Sequence, residues 1–137
     1  MGVDEGLGLI HSISTTPANA HDITQVDKLL HGDEKRVWGD AGYLGVDKRK
    51  EHKKRDVDWL LSMRPGKRAE LAKSNPLAVA EKIKASVRAK VEHGFFYMKQ
   101  VFGYSKVRYR GLEKNTNRFY VLAGLTNLLR MKRVLMP

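Results

Sequence analysis

Apolar and polar positions along this chain fall into short blocks whose period changes from one block to the next. Leu7 to Thr16, rich in Leu, Ile, Ser and Thr, reads as a strand, and Asp4-Glu5-Gly6 ahead of it reads as a hairpin turn. The outgoing strand is then only Met1 to Val3, so the expectation is a tiny hairpin or a chain that starts partway through a domain. Pro17-Ala18-Asn19 ends the strand; Asp22 with Gln25 resembles a capping box, and Ile23, Val26, Leu29 and Leu30 give a helical face over about 22–31. Val37 and Trp38 are strand-like and stop at Asp40 in a glycine-containing turn. The charged run from Val46 to Arg55 is expected to be helical, and Val57 to Met63 a further strand closed by Arg64-Pro65-Gly66.

The second half is dominated by helical periodicity. Residues 67–78 read as a basic loop or insertion, followed by a helix over about 79–102 that stops near Gly103. On that helix Val87, Val91, Phe95, Met98 and Phe102 form an apolar stripe. Arg88, Glu92 and Lys99 fall within roughly 40° of arc at its border. Read plainly, this is an amphipathic surface with an Arg88–Glu92 ion pair worth a few tenths of a kcal/mol. Lys106-Val107-Arg108-Tyr109-Arg110 alternates cationic and apolar residues, so an extended segment puts three cations on one face. Asn117 is expected to cap a last helix through Phe119, Leu122, Leu125, Leu129 and Val134. The order of elements is an α/β pattern without repeats, and residues 1–137 form a single domain.

Charge sharpens this outline. Lys and Arg number 26 against 15 Asp and Glu, a formal net charge of +11, which makes nucleic acid the first partner to consider. Mean hydropathy is −0.47. The absence of cysteine excludes a disulfide framework and suits a reducing cytoplasm. No run approaches the ~20 apolar residues of a membrane span. The histidines, His11, His21, His31, His52 and His93, have no metal-ligand spacing. Pro65-Gly66-Lys67 lacks the rest of a phosphate-binding loop, so neither a zinc enzyme nor a nucleotide hydrolase is supported.

Two acids remain as candidates for chemistry. Asp40 stands at the carboxyl end of a strand, where α/β sheets bind ligands, although an Asp before glycine also opens turns by bonding its own backbone. Glu92 sits at the edge of the helical stripe. A strand-end acid and a helix acid could bracket a hard divalent cation, of the kind that phosphoryl transfer on DNA commonly uses in pairs.

Gly39-Asp40-Ala41-Gly42-Tyr43 resembles the element around the second catalytic acid of bacterial insertion-sequence transposases of the DDE class. Arg88-x3-Glu92-x6-Lys99 resembles the signature around their third, and the similarity extends over nearly the whole chain. The resemblance implies a ribonuclease H-like fold, with Asp40 and Glu92 binding Mg2+ or Mn2+ for DNA strand cleavage and transfer. It implies that Arg88 and Lys99 steady the acid or hold DNA phosphate near it. Lys106, Arg108 and Arg110 are further candidates for DNA phosphate, and Tyr104 and Tyr109 could stack on bases, with strand-like packing the simpler use. Implied partners are transposon ends and target DNA, and a second copy or a full-length transposase, in a cytoplasmic, nucleoid-associated setting.

Two departures qualify the resemblance. Ala85 stands where the signature commonly has Tyr. The first catalytic Asp belongs on the central first strand, upstream of the hairpin, and no residue here occupies it; Asp4 reads as a turn residue. The chain is therefore expected to be the carboxyl-terminal portion of the catalytic domain and inactive alone. The alternative is a non-enzymatic basic module that binds DNA or modulates a transposase.

Overall fold

The computed structural model describes residues 1–136, in two compact units: His21–Ala89, and Met1–Ala20 together with the residues from Lys90 onward. Both helices and strands are present, and among the described residues the strands form two two-stranded sheets. Among the described residues no helix is long and apolar enough to cross a membrane.

In the unit His21–Ala89, strands β3 (Arg36–Gly39) and β4 (Asp58–Leu61) pair in parallel, with Arg36 opposite Asp58 and Gly39 opposite Leu61. Here β1 and β2 are the strands Gly2–Val3 and Ile10–Ser12 of the other unit. A parallel pair needs a long crossover, and residues 40–57 supply it. The helix expected over 46–55 does not form; a 3-10 turn at Val46–Lys48 is followed by further turns. Burial explains the difference. Val46 is fully buried and His52 is 2% exposed, its ring edge-on to Trp59 at 5.4 Å. Residues six apart lie about 120° from one another on a helix, so one helical face could not bury both.

The helix expected over 22–31 is a 3-10 turn at Asp22–Gln25 continued by α1 (Val26–Leu29). Its cap position is His21, not Asp22, and the capping box is not formed: Thr24 N donates to the His21 carbonyl instead. After β4 come α2 (Pro65–Ala69), started by a proline at its first position, and α3 (Pro76–Phe96). Residues 76–89 of α3 belong to this unit and 90–96 to the other.

In the other unit β1 and β2 pair antiparallel, Gly2 opposite Ser12, so the strand expected over 7–16 is regular only at its centre. The Asp4 carboxylate accepts from Leu7 N at 2.7 Å and from Leu9 N, which makes it the turn residue the sequence suggests. Burial pushes its carboxyl up, but the amides of Leu9, Leu7, Gly8 and Gly6 outweigh that and hold it below the ordinary value of 3.8.

The long helix ends as expected near Gly103, through a π turn at Tyr97–Val101 in which Phe102 N reaches the Tyr97 carbonyl at 3.1 Å. The buried line on this helix passes through Gly94 and Met98, while Phe95 of the expected stripe is exposed. A Cβ at Gly94 would stand 3.0 Å from Met1 Cε and 3.5 Å from Ile10 Cδ1, so the helix backbone runs close to the hairpin at this glycine. A π turn advances each residue by less than an α turn does, so the phase derived for Lys99 from an ideal helix does not carry over.

Residues 106–110 are not a strand. The last helix, α4 (Leu112–Leu135), begins at Gly111 rather than at Asn117, which lies inside it. Its Leu122 and Ala123 join Ile10, Ile13 and Met98 in the core. Asn127 pairs with both backbone groups of Ile10 at 2.8 Å, satisfying β2 where no third strand does.

Candidate functional site

The candidate site in the unit His21–Ala89 grows from the end of β3. Gly39 is the last strand residue, and Asp40 leaves it with extended backbone angles of φ −82° and ψ −178°. Asp40 Oδ1 accepts from Gly42 N at 2.8 Å, and Tyr43 N donates to the Asp40 carbonyl at 3.2 Å, which closes the turn Ala41–Tyr43. A Cβ on Gly42 would lie 3.0 Å from Oδ1, so the glycine permits the close carboxylate. The turn considered for Asp40 is thus formed. One oxygen shapes the turn, and the side chain still lines a cavity of about 660 Å3.

That cavity also takes Asp22, Ser62, Arg68 and Arg88. Each arrives by a separable cause. Ser62 continues β4, its amide donating to the Gly39 carbonyl at 2.9 Å. Arg68 comes from α2, and Asp22 from the 3-10 turn before α1. Arg88 Nη1 approaches Ser62 Oγ at 3.5 Å, a long contact. Burial first, then the negative charges of Asp22 and Asp40, push the Tyr43 phenol up.

Glu81 sets the position of α3 against β4. It is 1% exposed, its Oε2 accepts from Met63 N at 3.0 Å, and its Oε1 from Lys84 Nζ at 2.9 Å. Lys84 also donates to the Leu61 carbonyl at 2.8 Å. Burial pushes the Glu81 carboxyl up, yet the hydrogen bonds from Lys84 and Met63 and the charges of Lys84 and Arg68 hold it below its ordinary value. Glu81, Lys84 and Arg88 are spaced three and four apart on one helical face, so the anchor that docks the helix also delivers Arg88 to the cavity.

The other expected residues belong to the second unit. Glu92 lies one turn beyond Arg88 on α3 and is exposed; Lys99 is exposed in the π turn. Lys106, Arg108 and Arg110 are exposed in the irregular segment before α4. Asp40 and Arg88 therefore share one cavity, and the three later cations share one loop. Sequence reasoning missed Glu81, took Asp22 as a cap, and left Arg68 in an undifferentiated basic loop. For Glu81 a signal existed, in the three-and-four spacing to Lys84 and Arg88.

The donors suit a hard cation in type, since Asp22 and Asp40 offer carboxylate oxygens to the same cavity. In number they fall short: among the described residues no group of three or more His, Asp or Glu side chains gathers as a metal-ligand set. No solved structure matches the chain. Residues 1–128 match the family described as the transposase DDE domain. With almost its whole length matched, the chain belongs to the transposase DDE domain family, whose function is of the transposase type, acting on DNA and using divalent metal ions.

Proposed function

We propose that these 137 residues are a partial catalytic domain of an insertion-sequence transposase, ribonuclease H-like in fold, carrying the second and third acids of the DDE set as Asp40 and Glu92. The observation that carries this reading is the position of Asp40. It follows a parallel strand, one oxygen is held by Gly42, and its cavity also receives two arginines and a buried serine hydroxyl. Such a lining suits a phosphodiester, whose anionic oxygens Arg88 and Arg68 can hold while the carboxylates take a cation.

Asp40 and Glu92 would hold Mg2+ or Mn2+, which when bound supplies Lewis-acid activation of the attacking oxygen and the phosphate. Arg88, Lys99, Lys106, Arg108 and Arg110 bind DNA phosphates. The chain's partners are transposon ends and target DNA, and a second copy or a full-length transposase, in a cytoplasmic, nucleoid-associated setting. Asp4 is not the first acid of the set, because both of its oxygens serve the hairpin turn. The chain alone does not cut DNA.

Mn2+ titration followed by electron paramagnetic resonance tests the reading. Binding by the chain, weakened at least about tenfold by Asp40→Asn or Glu92→Gln, supports it. DNA binding with no Mn2+ uptake would favour a non-enzymatic basic module. Metal-dependent nicking of supercoiled plasmid by the chain alone, abolished in Asp40→Ala, would overturn the inactivity.

A further inference from the structure

The segment between Gly103 and Gly111 is irregular, and it exposes large apolar side chains among its cations. Val107 is 70% exposed and Tyr109 51%, with Lys106, Arg108 and Arg110 exposed beside them. The backbone that carries these side chains is tied. Asn115, in the first turn of α4, accepts from Tyr109 N at 3.3 Å and donates to the carbonyls of Tyr109 and Gly111, both at 2.6 Å.

The ring is also supported from one side. The Arg118 guanidinium lies 5.9 Å from the Tyr109 ring centroid and 5.4 Å from that of Tyr104. Tyr104 in turn meets Phe119 at 5.7 Å, and Phe119 meets Phe95 at 6.2 Å. Arg118 thus links Tyr109 to Tyr104, which with Phe119 packs against the core, and Tyr109 is the half-exposed outer end of this series of contacts. No acidic residue occurs from Tyr97 to Leu112, so the surroundings attract polyanions.

We propose that this platform binds an unpaired stretch of DNA, one base stacking on Tyr109 while Lys106, Arg108 and Arg110 hold the neighbouring phosphates. A paired base within a duplex has both faces covered by its neighbours, so only an unpaired or displaced base can use the ring. Base–aromatic stacking tolerates any base, and the interleaving of cations with Val107 and Tyr109 provides the charge that follows the backbone. The choice of DNA rests on the function proposed above, but the platform itself needs neither Asp40, Glu92 nor a metal.

Fluorescence anisotropy of the whole chain with a labelled oligothymidylate and with a labelled duplex, both in EDTA, tests the platform apart from the metal reading. Tyr109→Ala is expected to weaken oligothymidylate binding roughly 5- to 100-fold. Duplex affinity is expected to change by no more than about twofold, and Tyr109→Phe to retain single-strand affinity. Arg110→Gln weakens both substrates and lowers the magnitude of the salt slope by about one. Should Tyr109→Ala fail to fold, Tyr109→Leu decides, since it keeps apolar bulk without a flat ring. Unchanged oligothymidylate affinity in these variants, equal loss on duplex and single strand, or tighter binding of oligouridylate would overturn the proposal.

Discussion

The two compact units hold their exposed chemistry by opposite means. The unit of residues 1–20 and 90 onward has an apolar core of Ile10, Ile13, Met98, Leu122 and Ala123, ringed by Met1, Val3, Phe102, Tyr104 and Phe119. In the unit His21–Ala89 the buried hydrophobic side chains are Val26 and Val46, and beside them lie the buried polar groups His52, Ser62 and Glu81. One unit is held chiefly by apolar burial. The other relies on a buried carboxylate with specific partners. A satisfied buried polar group fixes geometry, and the Glu81 anchor lies on the same helical face as Arg88, which lines one cavity with Asp40.

The largest expected effect comes from the apolar side of this contrast. Met98 is fully buried, so Met98→Ala should destabilise the chain by about 2–5 kcal/mol, read from urea unfolding. The loss should be nearly independent of pH, since no charge is involved. A loss below about 1 kcal/mol would mean that the core around the π turn is far looser than its burial suggests.

Glu81→Ala is expected to come next, at about 2–3 kcal/mol near neutral pH, because it strands Met63 N and leaves Lys84 without its carboxylate. Its signature is pH dependence. The folded carboxyl titrates below its ordinary value of 4.5, so its stabilisation is complete above that pH and fades as the pH falls through the lower folded value. The difference between native and Glu81→Ala chains should therefore shrink on acidification while the Met98→Ala difference persists. Asp4 is shifted in the same direction, so acid weakens the native chain through both units, and only the paired differences separate them. A Glu81→Ala loss that does not change with pH would remove the distinction drawn between the units.

The contrast also explains which parts could be read in the sequence. The turn at Asp40 is made by neighbours, Gly42 and Tyr43, so its residues announce it locally. The hairpin at Asp4 is likewise local, and the end of the long helix near Gly103 follows from a glycine at φ 63°. The crossover after Asp40 was misread as a helix because charge density resembles a solvated helical face, whereas burial of Val46 and His52 decides it. The alternation at 106–110 left open whether the segment is extended in a sheet, because alternation alone cannot reveal whether a partner strand exists, and the segment is irregular. For Glu81 the three-and-four spacing to Lys84 and Arg88 marks a shared face, whereas its burial depends on the tertiary approach of Met63. Asp40 with Arg88 was recoverable; the company of Asp22 and Arg68 depended on tertiary approach.

The smallest effect tests the loop before α4. Tyr109 is held by a residue six positions later, through side-chain bonds from Asn115 to backbone groups on either side of Arg110. These groups are exposed, so water can replace the amide, and Asn115→Ala should cost about 1 kcal/mol at most. The consequence should be local: hydrogen exchange at the Tyr109 amide should quicken while the amides of α4 beyond its first turn keep their protection. Arg118 would still flank the ring, so oligothymidylate affinity should fall by less than in Tyr109→Ala. If Asn115→Ala instead matched Tyr109→Ala in affinity with no change in exchange, the order of the backbone would not be what positions the ring, and the cation beneath it would carry that role alone.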